Sequence, residues 1–248
     1  MTKSGRHRRD RSWAWRKRGA ASTLVGGAAV VAISASMLGT EGVAAPPAPP
    51  SALEGATLTE IPTTVPRPSP ATIKAAPVIP QRGEGSFVIV QSTSPLHGSG
   101  QRIDYRVEVE RGVPISPASF AKHVDQTLAD RRGWTKAGQW SFQRRPDATR
   151  RIVLASPDTV DRLCAPLRTN GEVSCRNGDV VVINAVRWTK GASAYDDDLA
   201  AYRTYVVNHE VGHSLGLTHT PCPGPGLRAP VMLQQTLGLD GCEKNPWP

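Results

Sequence analysis

Eleven residues near the C-terminal end constrain this chain more than any other stretch: His209-Glu210-Val211-Gly212-His213-Ser214-Leu215-Gly216-Leu217-Thr218-His219. His209 and His213 are four residues apart, so on a helix both imidazoles leave the same face, one turn apart. Two imidazole nitrogens at that spacing can hold one zinc ion. Glu210 follows the first histidine and can reach a water beside such an ion without ligating it. Gly216 lets the helix stop and the chain turn sharply, because glycine accepts a left-handed backbone at no steric cost. The turn swings His219 back as a third ligand. Three protein ligands leave one coordination position open, as a catalytic zinc site requires and a structural site does not. The five fixed positions coincide by chance on the order of one time in 10^5 for a chain of this composition and length. The motif needs a long helix, and Asp198 to Leu217 is read as that helix, with Asp196, Asp197 and Asp198 near its positive end.

The rest of the chain divides into a leader, a spacer and a domain. Residues 1–19 form a basic segment, followed from 20 to 38 by an uncharged apolar run of about the length that crosses a bilayer. Basic residues before such a run stay in the cytoplasm, so everything after it is expected outside. The run reads either as an uncleaved signal anchor or as a signal peptide cut after Val43-Ala44-Ala45. The expected location is the cell membrane with an extracytoplasmic C-terminal domain, or secretion if the leader is removed. The formal charge of +9 is misleading, because eight basic residues against Asp10 alone put most of it in the first 18 positions. A near-neutral body has no electrostatic reason to bind nucleic acid. Residues 39–82 read as a linker, rich from 46 onward in Pro and Ala, extended and partly polyproline II.

The folded domain is expected over 83–248. Phe87 to Val90 and Arg151 to Leu154 read as strands, and the alternation of Arg102 to Glu110 predicts a half-buried one. Ser116 is a plausible N-cap, with Pro117 in the first turn of a helix that puts Phe120, Val124 and Leu128 on one face. Pro157 to Leu163 reads as a short helix. Val173 to Cys175 and Asp179 to Ile183 flank Asn177-Gly178, a hairpin signal. The second of those strands, Asp179 to Ile183, is either an edge along which a peptide could add or an interior strand. Four cysteines, Cys164, Cys175, Cys222 and Cys242, lie in this exported domain, so two disulfides are expected. The pairing Cys164–Cys175 and Cys222–Cys242 encloses two short local loops. His97, in a polar loop, and His123, on a helix, lack ligand spacing and read as ordinary surface histidines.

The motif at 209–219 resembles that of the metzincin clan of zinc endopeptidases. In that clan the zinc helix is followed by a tight turn carrying a methionine beneath the metal, and Met232 in Ala229-Pro230-Val231-Met232 stands at a suitable distance. The stretches Cys222-Pro223-Gly224-Pro225-Gly226, Ala229 to Thr236 and Asn245-Pro246-Trp247-Pro248 are similar to a narrower group of actinobacterial exported proteins regarded as metzincin-like. The resemblance implies an α/β (α+β) fold: a twisted mixed sheet with helices, a zinc-binding helix and a Met-turn, and a cleft floored by one catalytic zinc. It implies hydrolysis of peptide bonds in a peptide or protein substrate, with Glu210 as the general base. Some metzincins place a further ligand tyrosine two residues after the methionine; here that residue is Gln234. Two other functions fit the same residues, a zinc-retaining but non-catalytic interaction module of the cell envelope and a zinc hydrolase acting on a non-peptide amide.

Overall fold

The apolar runs pair into one sheet, and the helices cover it from both sides. The computed structural model describes residues 76–248. Its strands are β1 (Phe87–Ile89), β2 (His97–Gly98), β3 (Gln101–Glu110), β4 (Trp140–Arg144), β5 (Arg150–Ala155), β6 (Cys175–Asn177) and β7 (Val180–Asn184). The order across the sheet is β2-β4-β3-β5-β7-β6, and β1 lies along the last three residues of β3. β4, β3, β5 and β7 are parallel, whereas β1, β2 and β6 run antiparallel to their neighbours. Helices α1 (Pro117–Ala129), α2 (Pro157–Cys164), α3 (Ala185–Lys190) and α4 (Leu199–Ser214) occupy the connections.

Strand alternation sorts the core into two layers. Ile152 and Leu154 of β5, with Val181 and Ile183 of β7, join the large core beneath α1 and α4. Val153, Ala155 and Val182 point the other way, to Val160 and Cys164 on α2. Burial on both faces explains the unbroken apolar run of β7. It also corrects the half-buried reading of β3, whose last four residues, Val107 to Glu110, are all buried. The two glutamates are tolerated there because each is saturated. Glu108 accepts from the guanidinium groups of Arg106 and Arg151. Glu110 accepts from the N–H groups of Gly85 and Ser156 and from the Thr159 hydroxyl, at the N-terminus of α2.

Local signals place several elements where the sequence puts them. Ser116 caps α1 by accepting the Ser119 N–H, with Pro117 in the first turn. The β6–β7 hairpin forms, but its two-residue loop is Gly178-Asp179, and Asn177 stays paired with Val180. Gly178, at φ 57°, supplies the left-handed first position of that loop. β7 lies between β5 and β6, so Asp179 to Ile183 is not an edge; β6 is. β2, β4 and α3 carry no strong periodicity in the sequence. Both disulfides pair as expected, Cys164–Cys175 and Cys222–Cys242, with Cα separations of 6.1 and 5.9 Å.

Ordered contacts start before Gly83. Ile79 packs on the large core, and the side chains of Gln81 and Arg82 donate to Asp158 at 2.7 and 3.0 Å. The apolar run at 20–38 and most of the Pro-rich stretch lie outside the described residues. Among the described residues no helix is long and apolar enough to cross a membrane.

Candidate metal centre

α4 is the element that brings the chemistry together. Asp198 caps it by accepting the Ala201 N–H, whereas Asp196 sits outside the helix and pairs with Lys244 at 3.1 Å. From Tyr205 to Gly212 every residue is buried, because the sheet covers one side and the C-terminal segment covers the other. The helix ends at Ser214, three residues before the sequence-based limit. Leu217 N–H donates to Gly212 O and Gly216 N–H donates to His213 O, both at 3.1 Å. This is the six-to-one and five-to-two bonding of a Schellman cap, with Gly216 in the left-handed position at φ 93°.

That cap orients a candidate metal ligand. Leu217 O accepts from His213 Nδ1 at 2.9 Å, one turn past the histidine. Val231 O accepts from His209 Nδ1 at 2.8 Å. A carbonyl can only accept, so both Nδ1 atoms carry a proton, which in the neutral ring leaves Nε2 as the lone-pair nitrogen. A carbonyl on the distal nitrogen is the usual support of a ligating histidine. His219 comes back after the turn, with its Nε2 3.1 Å from that of His213. Tetrahedral zinc with bonds of about 2.0–2.1 Å separates its ligand nitrogens by about 3.3 Å. One nitrogen from each of the three histidines lies within 4.8 Å of the other two. The donor set therefore fits a single divalent ion, and three neutral imidazoles suit zinc.

The turn at 230–233 holds the other side. Leu233 N–H donates to Pro230 O at 2.9 Å, closing it. Its carbonyls are all engaged: Val231 O with His209, Met232 O with the Thr220 N–H at 3.0 Å, and Leu233 O with the Tyr205 hydroxyl at 3.0 Å. Met232 presses on α4 at Gly212, between the two helical histidines. A Cβ on Gly212 would stand 2.5 Å from Met232 Sδ and 2.8 Å from Trp134 Cζ2. Tyr205, one turn before His209 on the same face, is a supporting residue that the motif does not include. The Tyr-i, His-i+4 spacing was the available signal.

Glu210 is 5% exposed, lines the cleft, and makes no side-chain hydrogen bond to another described residue. Burial pushes its carboxyl up to about 8. Burial likewise pushes His209 down to about 4, with the Val231 carbonyl opposing and the neighbouring histidines adding to the drop. His219 is lowered by burial and then by His213. Both shifts favour the neutral imidazole that a metal needs. Burial and the nearby Glu210 charge keep the Tyr205 phenol protonated.

Above these groups lies a cleft of about 570 Å³, walled by residues 167–170 and 172–176 and by Gln234, Thr236 and Leu237. Gln234 occupies the place of the tyrosine noted above and makes no side-chain hydrogen bond to another described residue. His97 and His123 stand away from the triad; His123 is not the surface histidine its position suggests, because it packs edge-on against Trp188 of α3, where burial and then Arg203 push it down to about 4.

A sequence profile of the family described as "Protein of unknown function (DUF3152)" matches residues 73–247, and the chain belongs to that family. The match starts within the stretch that composition assigns to the linker. Comparison with curated proteins and with solved structures gives no match.

Proposed function

We propose that this chain is a zinc-dependent endopeptidase of metzincin type acting outside the cytoplasm. The observation that carries the reading is the convergence of three histidine nitrogens beside buried Glu210 at the floor of an open cleft. His209, His213 and His219 would hold the ion. Bound there, zinc supplies Lewis acidity at the scissile carbonyl and a water of lowered pKa. Glu210 takes the proton of the attacking water at its carboxylate and delivers it to the leaving amine nitrogen. The Val231 carbonyl keeps His209 in register, and Met232 packs the 230–233 turn against α4 at Gly212.

Strand β6 supports peptide binding beside the ion. Asn177 and Val180 close the two-residue hairpin as a hydrogen-bonded pair, so the next pair, Arg176 and Val181, is non-hydrogen-bonded. The backbone N–H and C=O of Arg176 therefore face the open edge, where an extended peptide can add. The two disulfides support an oxidising, extracytoplasmic setting. Attachment to a membrane through residues 20–38 belongs to the same proposal.

The test is cleavage of a diverse peptide mixture by the zinc-loaded full chain and its Glu210→Ala and Glu210→Gln variants, with products read by mass spectrometry and metal content measured alongside. Cuts made by wild type and absent from both variants, at equal zinc content, support the reading. Equal cutting by the Gln variant refutes the role of Glu210, and no cutting by the zinc-loaded wild type favours the binding module or the non-peptide hydrolase.

A further inference from the structure

The wall of the cleft opposite α4 is a braced platform. The loop between α2 and β6 is closed by Cys164–Cys175. Asp161 Oδ1 accepts from the Thr169 hydroxyl and from the Gly171 N–H at 2.8 Å. The Asn184 amide donates to Gly171 O, and the Arg187 guanidinium donates to Glu172 O, both at 2.8 Å. Side chains on this loop that point into the cleft are thus presented from a held backbone.

Two of them are arginines without partners. Cys175 is bonded to Cys164 on α2, and Asn177 Nδ2 donates to Leu163 O and Ala165 O on the same side. Strand alternation then turns Arg176, between them, to the opposite face, where it lines the cleft together with Tyr205, His209 and Glu210. Arg168 lines the same cleft. Neither guanidinium makes a hydrogen bond or ion pair among the described residues, in contrast to Arg106, Arg144 and Arg151. Glu210 is buried, so the exposed carboxylate lining the cleft is that of Glu172, against two exposed guanidiniums. Beside them stand Leu167, Leu217 and Leu237, exposed at 57, 41 and 64%. They are three of the six exposed large hydrophobic residues among the described residues, and all three line this cleft. Apolar side chains gathered at one concave site mark a binding surface.

We propose that Arg176 and Arg168 make this cleft selective for peptides that carry a carboxylate next to large apolar side chains. The ligand's being a peptide rests on the function proposed above. The carboxylate is that of an Asp or Glu side chain within the bound segment or that of the peptide's own C-terminus. An arginine fork binds either one through two parallel charge-assisted hydrogen bonds.

The test uses the full zinc-loaded chain carrying Glu210→Gln, so that binding is read without turnover. Fluorescence anisotropy compares three peptides with one apolar framework: Glu-containing and C-terminally amidated, Gln-containing and amidated, and Gln-containing with a free C-terminus. The expected result is binding about tenfold tighter, ~1.4 kcal/mol, for a carboxylate peptide than for the amidated Gln peptide. Which carboxylate peptide gains shows whether a side chain or a chain end is recognised. Arg176→Gln abolishes most of the preference, Arg168→Gln part of it, and Arg176→Lys retains some because it keeps the charge and loses the fork. Arg111→Gln, an exposed arginine outside the cleft, leaves it unchanged, and unchanged thermal midpoints show that the variants fold. Equal binding of all three peptides, or a preference that survives the Arg168→Gln/Arg176→Gln double variant, overturns the proposal. Wild-type chain run in parallel separates the two readings. Arginine-dependent preference without cleavage sinks the peptidase assignment alone, and Glu210-dependent cleavage of all three peptides at one rate sinks the selectivity alone.

Discussion

Replacing Gly212 with alanine tests the packing beneath the metal site, because two opposite signs are in play. Gly212 lies in the interior of α4, where alanine normally stabilises a helix by about 1 kcal/mol. Here the added Cβ would meet Met232 Sδ at 2.5 Å and Trp134 Cζ2 at 2.8 Å, well inside the ~3.5–4.0 Å of favourable contact. Neither neighbour is free to leave. Met232 belongs to a turn tied to His209, Thr220 and Tyr205, and the indole Nε1 of Trp134 donates to Asn208 O at 3.1 Å. Overpacking of this kind costs about 1–3 kcal/mol, so the net effect is a loss of about 1 kcal/mol where an open helix would gain that much. For a domain of this size the midpoint should fall by roughly 2–4 °C. The displacement also reaches Val231 O, the support of His209 Nδ1, so zinc affinity should fall about tenfold or more. Thermal unfolding in chelator and in excess zinc measures the first effect, and competition with a chromophoric chelator measures the second. Met232→Ala added to Gly212→Ala should restore part of the stability as a coupling of about 0.5–3 kcal/mol. A higher midpoint with undiminished zinc affinity in Gly212→Ala would refute the packing argument.

Three further outcomes follow from other parts of the structure. Gly216→Ala places a side chain at φ 93° with nothing within 4 Å of its Cβ, so the loss is conformational, about 1–2 kcal/mol, and zinc affinity falls with it because the same cap holds His213; Gly216→Asn should be milder, as midpoints and zinc titrations would show. Burial most strongly opposes ionisation of Glu108, yet the hydrogen bonds and charges of Arg151 and Arg106 together outweigh it and hold its carboxyl below the usual range. Its stabilising contribution is therefore complete above the unfolded value of about 4.3 and is lost as pH falls through the lower folded value; in urea titrations Glu108→Gln should flatten stability against pH in that acidic window. Opening the Cys222–Cys242 loop, of sequence separation 20, by a double Ser substitution should cost about 3 kcal/mol, read as a lower denaturation midpoint.

What the sequence showed and what it hid follow from range. The ligands, the helix that carries two of them and the glycine that ends it are local, with fixed offsets that any helix obeys, so His209, Glu210, His213, Gly216 and His219 could be read directly. The caps at Ser116 and Asp198 and the hairpin at Gly178 are local too. The hairpin was misplaced by one residue because Asn-Gly is favoured both as the loop and as the step into it. β4 escaped notice because Trp140-Ser141-Phe142-Gln143-Arg144 is short and ends on Arg144, whose burial makes sense only with Asp125 beside it at 2.9 Å. Glu108 and Glu110 made β3 look half-exposed, since Arg151 and the Ser156 N–H, two of the groups that let them be buried, come from 43 and 46 positions away. Arg176 gave no signal at all, because its significance depends on which face of a three-residue strand looks toward α4.

The same distinction decides what makes the triad a site. Its ligands sit within eleven residues, but the orientation of His209 depends on Val231, 22 residues later, and that carbonyl is held from further off. Gln235 is fully buried, with its Oε1 accepting from the Tyr195 hydroxyl and the Asn245 N–H and its Nε2 donating to Pro230 O and Asn245 O. Asn245 spends its own amide in the same way, donating to Ala229 O and Trp247 O and accepting from Arg228 and the Trp247 N–H. Two carboxamides with every donor and acceptor used leave the 229–247 segment few alternative arrangements, since a partly satisfied buried amide costs more than the bond it loses. The disulfide between Cys222 and Cys242 closes the loop that contains the turn. The 229–247 segment therefore backs the candidate metal site, because its Val231 carbonyl sets the orientation of the His209 ring. Because a preorganised ligand binds with less ordering still to be done, this C-terminal clamp should raise the affinity of the three histidines for an ion, and replacing Gln235 with Ala should lower zinc affinity in a chelator competition.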